Sequence, residues 1–447
     1  MTARTDGVLQ TRWVERSRHR LAQFLKYANN VYHLLGGLRG VHDRRIRPQI
    51  PTLHVLWSLC LAAVFRLPSF NALEGYLREG GFQRLLGRRV SAGRKAFSAD
   101  TVARVLDGLC AGSLCEVNRG MLAQAERNKA FREGGPAGLR CVAIDGWEML
   151  SSRGRHCPDC LTRTVSTARG NVVEYYHRAV VALLLGPAVE VVLGLEFLRN
   201  QAGRWAAGEQ DAATDEGEVT AARRMIKHLH EDFGRFLDVF VLDGLYPDGP
   251  TLHTLRQCGY SAVITLRKAS DEPLKEALAL TAGRPPNLTW DDPEQRESLR
   301  AWDCPDLQTL DTYDGALRVV RVEVTSWQRS ETKTWCALTV GEKVEKLSVR
   351  QIHRIQRMRW HEENTGFHQW TTQWHLNHAF RHSAGGIPAV LWIWLLMFNL
   401  LQLFAYRRLR RRRRPADPSH TLRDLVEQMR LGLGRVPAPL TWASRGS

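Results

Sequence analysis

A chain of 447 residues, 44% of them hydrophobic, is long enough for two or three domains and apolar enough to bury a sizeable core, which excludes a disordered polypeptide. Its 63 Lys and Arg against 46 Asp and Glu leave a formal net charge of +17. That balance points to a polyanionic partner, because each cation that neutralises a phosphate adds to affinity for nucleic acid.

The N-terminal stretch MTARTDGVLQTRWVERSRHR is polar and basic and has no apolar segment of the kind a signal peptide needs. Residues 1–137 read as helical. Apolar positions recur at helical spacing in HVLWSLCLAAVFRL and again in ADTVARVLDGLCAGSLCEVNRGMLAQAE. Ser98 is placed to cap the second of these, with Asp100 and Thr101 in its first turn. Gly134-Gly135-Pro136 then interrupts the pattern.

Strand-like runs follow: CVAIDGWEML, YYHRAVVALLLG and VEVVLGLEFL, rich in Val, Leu, Ile and aromatics. A polar, helix-prone segment, GEVTAARRMIKHLHEDF, leads to the strand FLDVFVLDG, the helix GPTLHTLRQCG and the strand YSAVITLRK. Three strands, then helix, strand, helix, strand is the order of a ribonuclease-H-like α/β domain. In that arrangement the first three strands form an antiparallel meander, and the later two add in parallel through helical crossovers. Residues 138–269 would form its first part. Residues 270–346 break the alternation and read as an inserted, mainly β subdomain. Residues 347–406 return to helix and carry Arg354, Arg357, Arg359, Glu362 and Glu363. Residues 407–447 read as a basic tail that opens on the run Arg407–Arg414.

Ile387 to Tyr406 is apolar over a length that could span a bilayer. Asn399 and Gln402 interrupt it and Pro388 lies near its start, so a fully buried core helix is expected, and no membrane partner. Nine cysteines, an odd number scattered singly except for Cys157 and Cys160, fit a reducing cytosol better than a secreted disulfide framework.

Two carboxylates stand in matching contexts, Asp145 in Cys-Val-Ala-Ile-Asp-Gly and Asp243 in Val-Phe-Val-Leu-Asp-Gly. An acid at a strand end followed by Gly is placed to face a cleft, although either motif alone also reads as a turn-forming Asp-Gly. Phosphodiester cleavage with two divalent ions needs oxygen ligands that converge from different elements. A third carboxylate from the helix near residue 363 would complete such a set.

The segment Arg359-Trp360-His361-Glu362-Glu363-Asn364-Thr365-Gly366-Phe367 resembles the Arg-Trp-x-Ile-Glu-Asn-x-x-Phe signature of bacterial insertion-sequence DDE transposases. Trp374-His375-Leu376-Asn377-His378 and His382 resemble the His-Leu-x-His stretch and the His-Gly that follow it. Upstream, Ala143-Ile144-Asp145-Gly146 and Leu242-Asp243-Gly244-Leu245-Tyr246 resemble the two aspartate strands. His156-Cys157-Pro158-Asp159-Cys160-Leu161-Thr162-Arg163 resembles a Cys-x-x-Cys-Leu element, and Tyr175-Tyr176-His177 the strand after it. The likeness runs in order over about residues 140–405.

The resemblance implies an enzyme that cleaves DNA at transposon ends and transfers the strand to target DNA. Asp145, Asp243 and Glu363 would be its catalytic metal ligands, holding two Mg2+ or Mn2+ ions. Arg359 would contact a phosphate near the cleaved end, with Trp360, Asn364, Arg354 and Arg357 also on DNA. Its partners would be the inverted repeats and target DNA, bound by a homodimer in the bacterial cytoplasm at the nucleoid. The N-terminal helices would recognise the repeats, with a helix-turn-helix-like element near Ser98 to Ala111. An aromatic of the inserted segment, among Trp302, Trp327 and Trp335, would stack on a flipped base or else pack in the core.

This chain departs from the pattern at three places: Glu362 stands where an aliphatic residue is usual, Gln356 where Tyr is common, and Gln369-Trp370-Thr371 where Lys is expected. Glu362 and Glu363 therefore compete for one role, and Glu363 is preferred because Asn364 follows it. His177 and Asp211 are polar residues near the expected active edge, with structural roles. Cys157 and Cys160, with His156 or a more distant His, could hold a structural zinc, or remain two free thiols. A nuclease on the same scaffold and an inactive DNA-binding relic are the alternatives to the transposase.

Overall fold

Helices come first in the chain: α1 (19–32), α2 (Leu34–Arg39), α3 (Thr52–Val64), α4 (Phe70–Tyr76), α5 (Gly80–Leu85), α6 (Ala99–Gly108) and α7 (Ala111–Arg127). The computed structural model describes residues 19–87, 95–186, 189–268, 270–329, 331–360, 362–409 and 421–433. The N-terminal basic stretch through residue 18 and the arginines after Leu409 lie outside the described residues. Ser98 caps α6 as its sequence predicts, its hydroxyl accepting from the Thr101 amide at 3.2 Å. Between α6 and α7 only Leu109 and Cys110 intervene, so the segment near Ser98 to Ala111 is a helix, a tight break and a helix.

The α/β portion follows in chain order. It comprises β1 (Cys141–Ser152), β2 (Leu161–Thr167), β3 (Gly170–Leu185), β4 (Val191–Phe197), α8 (Gln201–Ala206), α9 (Glu218–Phe233), β5 (Val239–Leu242), α10 (Gly249–Gln257), β6 (Ser261–Leu266) and α11 (Glu272–Thr281). Next come β7 (Leu288–Asp292), β8 (Glu297–Leu307), β9 (Leu317–Ser326), β10 (Thr332–Val340), α12 (Glu342–Glu345) and α13 (Val349–Met358). The chain ends in α14 (His368–Thr372), α15 (Gly386–Leu403) and α16 (Leu422–Gly432).

Two compact units result, and they do not follow simple sequence boundaries. One comprises residues 1–130, 149–176 and 369–447, the other 131–148 and 177–368.

In the helical unit α15 packs on α3, α6 and α7, and every one of its residues but Pro388 is buried. The apolar stretch that raised a membrane question is therefore the core of this unit. With its continuation to Leu409 it is the one described helix long and apolar enough to cross a bilayer, and its most apolar stretch is 94% buried. Asn399, which interrupts it, donates to Asn118 of α7 at 2.9 Å, so its amide is satisfied without water. Within the segment expected to be a basic tail, α16 forms behind a Thr421–Asp424 capping box and buries Leu425, Val426 and Met429. Gln428 accepts from Arg20 at 3.2 Å.

The ten strands make one mixed sheet in the order β2-β3-β1-β5-β6-β10-β9-β8-β7, with β4 also on β3. β4 runs antiparallel to β3, whereas β5 lies parallel to β1 and β6 parallel to β5. The antiparallel β3·β4 pair and the two parallel additions are as expected from sequence, and β3 neighbours β1. β2, absent from that expectation, pairs antiparallel with the first half of β3. Residues 270–346 do not build a sheet of their own. β10 pairs antiparallel with β6, from Cys336↔Leu266 to Val340↔Ala262, and β9, β8 and β7 extend the sheet from there. The reason is burial: all six residues of β6 are buried, so its free edge needs hydrogen-bond partners, and the apolar end of β10 supplies them.

Candidate active site

The parallel β1·β5 ladder places the two aspartates. Its paired residues are Cys141↔Val239, Val142↔Phe240 and Ala143↔Val241, so two residues further on Asp145 stands beside Asp243. Asp145 is not at a strand end as its sequence suggests, because β1 runs on to Ser152. Gly146 is required for a different reason than a turn. A Cβ there would collide with the Glu218 carboxylate and crowd the Arg178 guanidinium at 2.8 Å. Asp243, just past β5, accepts from the Leu245 amide at 2.8 Å in a local turn. Burial pushes the Asp145 carboxyl up to about 6, with Arg359 opposing and Asp243 adding to the rise.

Arg359, at the C-terminal end of α13, has a side chain only 4% exposed. It donates to Asp145 Oδ2 at 3.1 Å and to Glu363 Oε1 at 2.6 Å, bridging strand and helix. Glu362–Phe367 is a π-helical turn, a local distortion common at functional sites. It sets the two adjacent glutamates in opposite surroundings. Glu363 is 48% exposed and tied to Arg359. Glu362 is fully buried with neither carboxylate oxygen hydrogen-bonded. Burial, then the nearby Asp145, raise the Glu362 carboxyl well above the ordinary range.

Glu218, which the sequence did not single out, is the fifth acid. It opens α9, is buried, accepts from the Tyr246 hydroxyl at 2.7 Å, and pairs with Arg178. Tyr246 is fully buried, and its phenol is raised well above its usual value by burial and by Glu218, then Asp145 and Asp243. The only sequence signal was an acid in the first turn of an amphipathic helix, which ordinarily marks capping.

Beside this acidic group, α13 and β7 border a cleft of about 880 Å3. Arg350, Arg354, Arg357, Trp360, Asn364, Trp290 and His353 line it, opposite Asp291, Asp292 and Glu294. Arg354 and Asn364 are exposed, Trp360 is half exposed, and Arg357 pairs with Glu297 at 2.6 Å. The Trp335 and Trp360 rings lie 5.9 Å apart. His353 sits between Trp290 and Trp335, and burial, then Arg357, lower it to about 4.

No protein-family profile and no curated protein matches this sequence. The geometry therefore stands alone.

The remaining predicted residues fall as follows. Trp302 is buried between Arg321 and Arg300, Trp327 is exposed and bonded to Ser298, and Trp335 packs behind the cleft-lining Trp360 and His353. Gln356 does not face the cleft, and its amide donates to the Cys336 carbonyl at 2.9 Å, tying α13 to the sheet. Asp211 lies on an exposed turn, and His177 is buried on β3. His156, the imidazole nearest the thiols in sequence, is stacked on Tyr175 with ring centres 4.8 Å apart. Another imidazole, His382, meets Cys160 Sγ at 3.3 Å.

Proposed function

We propose that this chain is a DDE transposase, cutting DNA at transposon ends and joining the freed 3′ hydroxyl to target DNA on a ribonuclease-H-like core. The observation that carries the reading is the placement of Asp145 and Asp243 side by side beyond a parallel ladder, with Arg359 tying a glutamate-bearing turn to them. The strand order β4-β3-β1-β5-β6 supports the ribonuclease-H-like assignment.

The donor set fits divalent cations. Burial, then Asp243 and Glu218, raise the Asp145 carboxyl; burial, then Asp145, Glu363 and Glu218, raise that of Glu362, which keeps two buried oxygens without a partner. Asp145 and Asp243 with Glu363, or with Glu362 in its place, would hold two Mg2+ or Mn2+ ions. Such ions supply water acidic enough to attack a phosphodiester and offset charge on the phosphate.

The protein's own groups do the rest. Arg354 and Arg357 offer cations to the backbone, and half-exposed Trp360 offers a face for an unstacked base. Arg359 positions Asp145 and Glu363, and a phosphate arriving at the cleft would compete for its guanidinium. A homodimer on paired ends, in the bacterial cytoplasm, completes the proposal.

A second reading, an inactive DNA-binding relic, draws on one observation: Arg359 already occupies both Asp145 and Glu363. The test is Mg2+- or Mn2+-dependent cleavage of DNA bearing the element's own flanking inverted repeats. Wild type is expected to cut, while Asp243→Ala binds without cutting. Whichever of Glu362→Ala and Glu363→Ala abolishes cutting identifies the third ligand. Tight end binding with no cutting by wild type would favour the relic.

A further inference from the structure

The helical unit holds a second cluster of ligand-forming side chains, unrelated to the carboxylates and independent of the proposed activity. Cys157 and Cys160 form a turn closed by the Cys160 amide on the Cys157 carbonyl at 3.1 Å. The Cys157 amide in turn donates to Cys160 Sγ at 3.2 Å. The two sulfurs are 3.8 Å apart and unbridged. His382, in the loop before α15, brings Nε2 to 3.3 Å from Cys160 Sγ. All three ligand atoms lie within 4.8 Å of one another.

These spacings are those of a metal polyhedron. With Zn–S about 2.3 Å and Zn–N about 2.0 Å, tetrahedral angles put sulfurs about 3.8 Å apart and sulfur and nitrogen about 3.5 Å apart.

We infer that Cys157, Cys160 and His382 form a Cys2His zinc site that clasps the turn before β2 to the loop before α15. The residue that sequence proximity nominates, His156, is not a ligand, because its ring is stacked on Tyr175.

The test is elemental analysis of the full chain purified without chelator, together with the absorption spectrum of its Co2+-substituted form. The expected result is about one zinc per chain and a Co2+ spectrum with tetrahedral ligand-field and thiolate charge-transfer bands. Cys160→Ser and His382→Ala should each lower zinc content at least about tenfold, while His156→Ala keeps it. Should those variants fail to fold, wild type alone decides. Zinc withdrawal by a competing chelator should lower its Tm, and restored zinc should recover it. A folded wild-type chain that neither contains zinc nor takes up micromolar Zn2+ or Co2+ would overturn the inference, as would a Cys157–Cys160 disulfide in fresh protein. Full zinc with an unchanged Co2+ spectrum in folded His382→Ala would also overturn it.

Discussion

Glu362 and Glu363 differ by one position on a π-helical turn, and that one step separates a buried carboxyl from an exposed one. A carboxyl raised by burial takes up a proton on folding at any pH between its unfolded and folded values, so its contribution to stability falls as pH rises above the unfolded value. Glu362→Gln should therefore stabilise the chain by about 1 kcal/mol at neutral pH, with a smaller gain near pH 5, as removal of functional-site strain often does. Urea melts at the two pH values measure this, and a destabilised variant would mean that Glu362 is satisfied in some other way. His353 has the opposite sign. Its folded value is depressed to about 4 from 6.5, so the stability of the neutral ring is complete above the unfolded value and is lost as pH falls from there toward the folded one. Between pH 7 and pH 4.5 wild type should lose on the order of 2 kcal/mol more than His353→Leu. Parallel pH profiles for the two proteins would refute this. Neither environment is legible in the sequence, because an adjacent pair of acids and a histidine on a helix carry no sign of what packs over them.

At the scale of elements, α13 is the lever that positions Arg359, and its start is a capping box. Ser348 accepts from the Gln351 amide at 3.3 Å, and Gln351 Oε1 accepts from the Ser348 amide at 2.9 Å. Ser348→Ala should cost about 1 kcal/mol in a denaturant melt, and Ser348→Asp much less, since a carboxylate can cap the same amides. An equal loss in both would show that the cap is not what holds α13. Elements were also where the sequence spoke most clearly. The Ser98 cap, the buried apolar helix α15 and the short hydrophobic strands β5 and β6 follow from local pattern, and local pattern is what a sequence displays. The continuation of the sheet through β10, which pairs with β6 across some seventy intervening residues, leaves no local trace, so those strands read as a separate subdomain. For the same reason Glu218 passed as a helix-start acid, and His382 could not be matched to thiols more than two hundred residues away. The paired Asp-Gly motifs were visible. Their adjacency came from the ladder register, and Gly146 proved to serve close approach instead of a turn.

For the whole molecule, a net charge of +17 favours a polyanion but does not say where it binds, because most of the 63 cations are spread over two units. The cleft beside α13 makes the question testable by separating charge from stacking. Counterion release makes log K fall linearly with log salt, by about 0.9 for each phosphate neutralised on duplex DNA. Arg354 is exposed in the cleft, so Arg354→Ala should reduce that slope by about one unit. Arg357 should matter less, because its pairing with Glu297 must loosen before it can serve a phosphate. Trp360, half exposed beside Trp335, carries no charge, so Trp360→Ala should weaken binding by about 1–3 kcal/mol while leaving the slope unchanged. The measurement is a fluorescence-anisotropy titration with end DNA at several salt concentrations. If Arg354→Ala keeps the wild-type slope and Trp360→Ala the wild-type affinity, DNA does not enter this cleft, and the charge must act elsewhere on the molecule.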